Sequence, residues 1–143
     1  MITLRRLTVD DYAAVLALWQ QAGLSSRPQG RDSREAFAEQ LEQDAFVLGL
    51  EDAEAGKLVA CAVVTDDTRK GWINRLAVDP GYRRQGLAAR LIEEAENELR
   101  AKGIHVFAAL IHHDNVPSLS LFEREGYKQL DIVYVTKRDY EDA

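Results

Sequence analysis

Residues 77–102 read AVDPGYRRQGLAARLIEEAENELRAK, and the change of periodicity inside this stretch decides the fold. It leaves a strand-like run, Trp72-Ile73-Asn74-Arg75-Leu76-Ala77-Val78, which Asp79-Pro80-Gly81 then stops. Proline removes a backbone donor and glycine admits the positive φ of a turn. From Gly86 onward Leu87, Ala88, Leu91, Ile92, Ala95 and Leu99 recur at helical spacing, while Arg90, Glu93, Glu94, Asn97 and Arg100 fall on the opposite side. Gly103 stands where a helix C-cap glycine belongs. The stretch therefore reads as a strand, a tight loop and a long helix.

The junction carries chemistry. A helix N-terminus presents backbone N–H groups without intrahelical partners and a partial positive charge. In Arg83-Arg84-Gln85-Gly86-Leu87-Ala88 the small residues Gly86 and Ala88 let an anion approach those amides, and the two arginines add full charges beside them. That is a phosphate cradle of the general strand-to-helix kind. It lacks the G-x-x-x-x-G-K-S/T of a Walker loop, and with Gly86 alone it is no G-x-G-x-x-G dinucleotide turn. On these residues alone, an anion site and a plain tight turn with solvated arginines both stay open.

Length and composition bound the rest. A chain of 143 residues is expected to form one domain, residues 1–143, large enough for a core without staples. Its 46% hydrophobic and 29% charged residues are ordinary for a soluble protein, and a net charge of −6 argues against a broad nucleic-acid surface. No run approaches the roughly 18 apolar residues of a membrane span. The opening MITLRRLTVDDY has no apolar signal core, so the expectation is cytoplasmic. Cys61 is the only cysteine and lies in an apolar run, which favours a buried structural thiol. His105, His112 and His113 lack metal-site spacing, and no metal is expected.

Along the chain, residues 2–7 alternate as a strand with one buried face. Thr8 and Asp11 suggest a capping box before a helix through Val15, Leu18 and Trp19 that Gly23 ends. Residues 24–32, with Ser25, Ser26, Pro28 and Gly30, are the most loop-like part. Asp32 and Glu35 suggest the cap of a second helix through Phe37 and Leu41. Residues 46–50 and 58–65 form a hairpin leading to the strand that ends at Val78, an antiparallel meander. Residues 105–111 are nearly all apolar, as in a central, doubly covered strand parallel to its neighbour. Asp114 or Asn115 caps the next helix, which carries Pro117 in its first turn and ends at Gly126. Residues 127–137 read as one further strand or two, with Ile132, Val133 and Val135 buried.

Two motifs give these elements a family likeness. R-x-x-G-x-A after LAVDPGY resembles the coenzyme A pyrophosphate motif of the GNAT superfamily of acyl-CoA-dependent N-acetyltransferases, Q/R-x-x-G-x-G/A, with Arg83, Gly86 and Ala88 in its fixed places. Residues 115–127, NVPSLSLFEREGY, look like that family's N…A…LYEKLGF segment. LALWQQAGL, residues 16–24, is similar to a subset of bacterial members. The likeness spans roughly residues 58–128.

It implies an α/β (α+β) fold: a single-domain mixed, mostly antiparallel sheet with helices on both faces, splayed between the fourth and fifth strands. Residues 76–89 become the pyrophosphate-binding strand, loop and helix. Backbone groups of Leu76, Ala77 and Val78 would pair with the pantetheine arm and thioester. Arg83 adds charge, and amides of Arg84, Gln85, Gly86, Leu87, Ala88 and Ala89 would hold the pyrophosphate. Asn115 would contact pantetheine, with Ser118 nearby. Acetyl-CoA is the implied co-substrate, and a small-molecule or peptide amine the acceptor. Transfer of an acetyl or short acyl group would proceed by direct attack in a ternary complex. Residues 24–32 form the substrate-side loop, where Arg27 and Arg31 are candidates to grip an acidic acceptor. Neither nucleic acid nor membrane is an expected partner, and a homodimer is left open.

The proton-transfer half of the likeness is incomplete. The family's tyrosine acid falls at Phe122, its glutamate base at Leu110, and the carboxylate many relatives carry on the fourth strand at Asn74. His112, His113 and Tyr134 are the substitute candidates, the first two acting through water. A catalytically silent acyl-CoA-binding or sensing module is the alternative these departures keep in view.

Overall fold

The computed structural model of the chain describes residues 1–43 and 45–143. In chain order its elements are β1 (Ile2–Arg6), α1 (Tyr12–Gln21), α2 (Arg34–Glu42), β2 (Phe46–Asp52), β3 (Lys57–Asp66), β4 (Gly71–Val78), α3 (Leu87–Ala101), β5 (Phe107–Ala108) and α4 (Val116–Arg124). Single 3-10 turns at Val9–Asp11 and Pro80–Tyr82 precede α1 and α3. The strands form one sheet in sequential order, antiparallel from β1 to β4 and parallel between β4 and β5. This is the mixed, mostly antiparallel sheet the motifs imply.

Local signals set most of the boundaries. The Thr8–Asp11 capping box forms, and Asp11 also takes two hydrogen bonds from Arg5, at 3.0 and 2.8 Å, which tie the turn to β1. The cap of α2 is Ser33, whose hydroxyl accepts from Ala36 N at 3.1 Å, and not Asp32. Asp32 is one residue too early because its carboxylate is committed to the loop, accepting from Arg27 N at 2.6 Å.

Both sheet faces are covered, which is why the middle of the sheet reads as nearly continuous apolar sequence. On one face Leu87, Leu91, Ile92, Ala95 and Leu99 of α3, with Phe122 of α4, pack on Leu48, Leu50, Val59, Val64 and Ile73. On the other, Val15, Leu18 and Trp19 of α1 and Phe37 of α2 cover Leu7, Val47, Leu58, Cys61 and Ala77. Cys61 is fully buried and its thiol is pushed up to about 12 by that burial, as suits an inert structural group.

The sequence misleads at the C-terminal end. Only Phe107 and Ala108 of residues 105–111 pair with β4, and β5 is an edge strand among the described residues, with Val106 and Leu110 half exposed. Residues 127–137 form no strand; Val133 is 86% exposed, and Ile132 and Val135 are exposed with it. The apolar, β-branched residues there supply propensity, but propensity acts through cross-strand partners and a two-residue β5 offers almost none.

Candidate functional site

The site is built where β4 leaves the sheet. Asp79 N donates to Val59 O at 2.8 Å. Alternate residues of an antiparallel strand point their polar groups to opposite sides, so Val78 turns its N–H and C=O away from β3, toward the side where β5 would lie. The two strands pair only at Gly71–Phe107 and Trp72–Ala108 and then part. The splay expected between the fourth and fifth strands is present. Asn74 Oδ1, 3.5 Å from Leu110 N, reaches across its closed end.

The loop that follows is braced from below. Asp79, buried, accepts from Gly81 N at 2.8 Å and pairs with Lys57 Nζ at 2.8 Å, while Tyr82 Oη donates to Asp52 Oδ2 at 2.7 Å. Both contacts reach the β2–β3 hairpin. Arg84 and Gly86 then take left-handed φ values of 65° and 74°. The first helical bond runs from Arg90 N to Gly86 O at 3.1 Å, so the amides of Leu87, Ala88 and Ala89 have no carbonyl of their own helix to meet. A Cβ at Gly86 would meet nothing within 4 Å. Arg83, Arg84 and Gln85 are exposed beside this space, and neither arginine forms an ion pair among the described residues. Amides, open volume and unpaired cations converge as an anion cradle requires.

The brace gives the loop an acid sensitivity. The hydrogen bond from Lys57, and then the Gly81 amide, hold the Asp79 carboxyl below its ordinary value against the opposing effect of burial. A carboxyl depressed in the folded state stabilises the fold at pH above its unfolded value, about 4, and that contribution disappears as pH falls through the folded value. Asp79→Asn is therefore expected to lower the thermal midpoint at pH 7 and to lose less than the parent between pH 5 and pH 3. Parallel pH–melting curves for the two proteins would show the brace to be unimportant.

Other expected site residues are less uniformly placed. Residues 76–78 end β4, and residues 83–89 follow the Pro80–Tyr82 turn into the first turn of α3. Asn115 caps α4, its Oδ1 accepting from Ser118 N at 3.3 Å, which leaves its amide group as the part free to donate. His112 O accepts from Asn115 N at 2.9 Å, so His112 lies in the exposed turn between β5 and α4, with His113 beside it. Phe122 is buried edge-on against Tyr127, ring centroids 5.0 Å apart. Tyr127 donates to Glu96 at 2.7 Å, and burial followed by that contact raises its phenol well above the ordinary value. Tyr134 is exposed in the unpaired segment and is not brought to the splay by any strand. Sequence reasoning missed the Lys57–Asp79 and Tyr82–Asp52 braces and the side-chain bridge from Asn74, none of which has a local signature. Among the described residues no three His, Cys, Asp or Glu side chains converge as a metal site, and no helix is long and apolar enough to cross a membrane.

Comparison with known proteins bears on the same region. The family model described as "Acetyltransferase (GNAT) family" matches residues 12–127. An acetyltransferase of Pectobacterium atrosepticum is 28% identical over 133 residues, covering 93% of this chain and 92% of its own. Among solved structures, the PaiA N-acetyltransferase of Thermoplasma acidophilum in complex with coenzyme A superposes with a TM-score of 0.82 at 20% identity, covering 93% of each chain. The ribosomal-protein-S18-alanine N-acetyltransferase of Escherichia coli gives 0.77 at 25% identity, covering 91% of this chain and 79% of its own.

Proposed function

The chain belongs to the acetyltransferase (GNAT) family and is an acyl-CoA-dependent N-acetyltransferase with acetyl-CoA as co-substrate; from that premise we propose how its own residues divide the work. The observation that carries the assignment is the open space over Gly86, flanked by the unpartnered amides of Leu87, Ala88 and Ala89 and in line with the outward-facing backbone of Val78. The cradle takes the diphosphate, with Arg83 and Arg84 neutralising it. Backbone groups of Leu76 and Val78 pair with the pantetheine arm as a strand would, while Ala77 between them spends its own on Cys61 of β3; Asn115 and Ser118 meet the arm from the start of α4. The co-substrate supplies an activated acyl group as a thioester.

An amine entering the splay from the side of residues 24–32 attacks the thioester carbonyl directly. A C–N bond forms, the C–S bond breaks, and the sulfur departs as a thiolate; the second proton shed by the nitrogen as it becomes an amide goes through water to that thiolate, which leaves as the free thiol. Holding both partners in one complex supplies much of the acceleration. The Val78 N–H, pointed into the splay, stabilises the charge that develops on the carbonyl oxygen. The amine must first lose its ammonium proton, and His112, in the exposed turn that follows β5, takes it through water; Tyr134 is exposed in the unpaired segment. The acceptor is a small-molecule or peptide amine.

The function is tested by coenzyme A release from acetyl-CoA in the presence of pooled amines, amino acids and peptides; tight coenzyme A binding with no thiol released on any pool contradicts it. On the accepted amine, His112→Gln is expected to lower kcat by about tenfold or more, and Tyr134→Phe by far less than the roughly 10²–10⁴ that a positioned acid contributes. A reversed order assigns the proton transfer to the wrong residue.

A further inference from the structure

Arg75 stands at a β-bulge that turns it over. Val63 opposes Asn74 and Cys61 opposes Ala77, so Arg75 and Leu76 together face Ala62. Strict alternation would put Arg75 on the side of Ile73, under α3. The extra residue sends it to the other face, where its guanidinium lies 4.2 Å from the centre of the Trp19 ring. Its φ of 55° is a left-handed value that a residue with a side chain rarely adopts.

Three buried side-chain polar atoms lack a hydrogen-bond partner among the described residues: Trp19 Nε1, Arg27 Nε and Arg75 Nε. All three are donors; Trp19 and Arg75 are stacked on each other, and the backbone of Arg27 is tied to the same corner through Asp32. Arg75 stacks on Trp19, which is only 4% exposed. Arg27 N donates to Asp32 Oδ2, and that oxygen is 3.9 Å from Arg75 Nη2. Unmet donors in a buried corner are expensive, and these three have no acceptor to share. Among the described residues Asp32 balances only one of the positive charges on Arg27, Arg31 and Arg75. Burial weakens the hold of Arg75 on its proton, Asp32 opposes that, and Arg31 adds to it. A tether for the loop accounts for the bond from Arg75 Nη2 to Ser25 O at 2.6 Å, but not for three unsatisfied donors.

We propose that Arg75 and Arg27, with Trp19 Nε1 between α1 and the sheet, form a carboxylate-binding subsite for the acceptor, so that the amine this enzyme acetylates also carries a carboxylate. The inference rests on the acyl-transfer reading above. Arg75 lies three residues before Val78 on β4, about 10 Å along the strand, so one acceptor can hold its carboxylate here and its amine at the thioester. Guanidinium groups suit the task because a carboxylate accepts from two of their N–H groups at once. The carboxylate is unchanged by the reaction; it orients the nucleophile.

The test measures coenzyme A release from acetyl-CoA with matched acceptors: amino acids, ω-amino acids and short peptides, each against its carboxamide, with amine-bearing phosphate esters as a third arm. Among acceptors long enough to span that roughly 10 Å, the longer ω-amino acids and short peptides, the carboxylates are expected to show kcat/KM about ten- to a hundredfold above the carboxamides; α-amino acids, too short to span it, should show no such preference. That advantage should lie in KM and vanish in both Arg75→Gln and Arg27→Gln, with KM for acetyl-CoA held at the parent value. Equal use of acids and amides, or a preference that survives both substitutions, overturns the inference while acyl transfer stands. Preference for the phosphate esters overturns the choice of carboxylate. Arg27→Gln, on the loop, decides the matter should Arg75→Gln fail to fold. If no thiol is released from any pair, the acyl-transfer reading fails and the subsite is decided by binding. N-acetylalanine and N-acetylalaninamide are then titrated into the coenzyme A complex while the Trp19 indole N–H resonance is followed. A shift with the acid alone, lost in Arg75→Gln, upholds the subsite, and no shift overturns it.

Discussion

Gly86→Val is expected to weaken coenzyme A binding by about a hundredfold or more, the loss of two charge-assisted hydrogen bonds to the diphosphate at roughly 1.5–3 kcal/mol each. This loss of affinity and the damage to the fold can be told apart. The space over the Gly86 Cα is open within the protein, so a side chain there collides with nothing but an incoming ligand. Its φ of 74° strains any replacement, by about 1–2 kcal/mol. Gly86→Ala should carry that strain with a smaller obstruction, and so fall between parent and valine in affinity while matching valine more closely in stability. Titration calorimetry with coenzyme A, alongside thermal melting, reads both quantities. Parent-like affinity in the valine variant would remove the diphosphate from this loop.

Leu91→Ala is expected to produce the largest loss of stability, about 2–5 kcal/mol, because deleting a buried leucine side chain forfeits its transfer energy and leaves a cavity. Leu91 is fully buried in the second turn of α3, in the same core cluster as Leu50, Val59 and Ile73 of the sheet. Since the amides of the cradle are the first turn of that same helix, the packing of Leu91 is what fixes their direction. Urea unfolding measures the effect as a lowered midpoint at an unchanged slope. A loss under about 1 kcal/mol would mean that α3 does not dock on the sheet as described.

Much of this was legible in the sequence because it rests on local chemistry. The Asp79-Pro80-Gly81 stop, the period of Leu87, Leu91, Ile92, Ala95 and Leu99, and glycines at positions 86, 103 and 126 each report a backbone state that neighbours set. The meander followed from that frame, and the splay from the family resemblance. What escaped was decided by partners distant in the chain. Lys57 meets Asp79, Tyr82 meets Asp52, and Asn74 crosses to Leu110 through contacts that no window of sequence contains. Arg75 gave no signal at all, since a bulge exists only by reference to the strand opposite, here Cys61 to Val63. The opposite error arose at residues 127–137, where strong β-propensity in Ile132, Val133 and Val135 was read as a strand although no long ladder stands beside it. The proton-transfer groups were hardest to read, because the resemblance assigns them to Phe122 and Leu110, neither of which titrates.

Amide-resolved NMR during titration with coenzyme A tests the central claim most directly, because it reports on the backbone nitrogens themselves. The expected result is that the largest shifts fall on the amides of residues 85–89 and on Val78, with the β2–β3 hairpin responding only near Lys57. Saturable binding that leaves those amides unmoved and shifts another surface would contradict it.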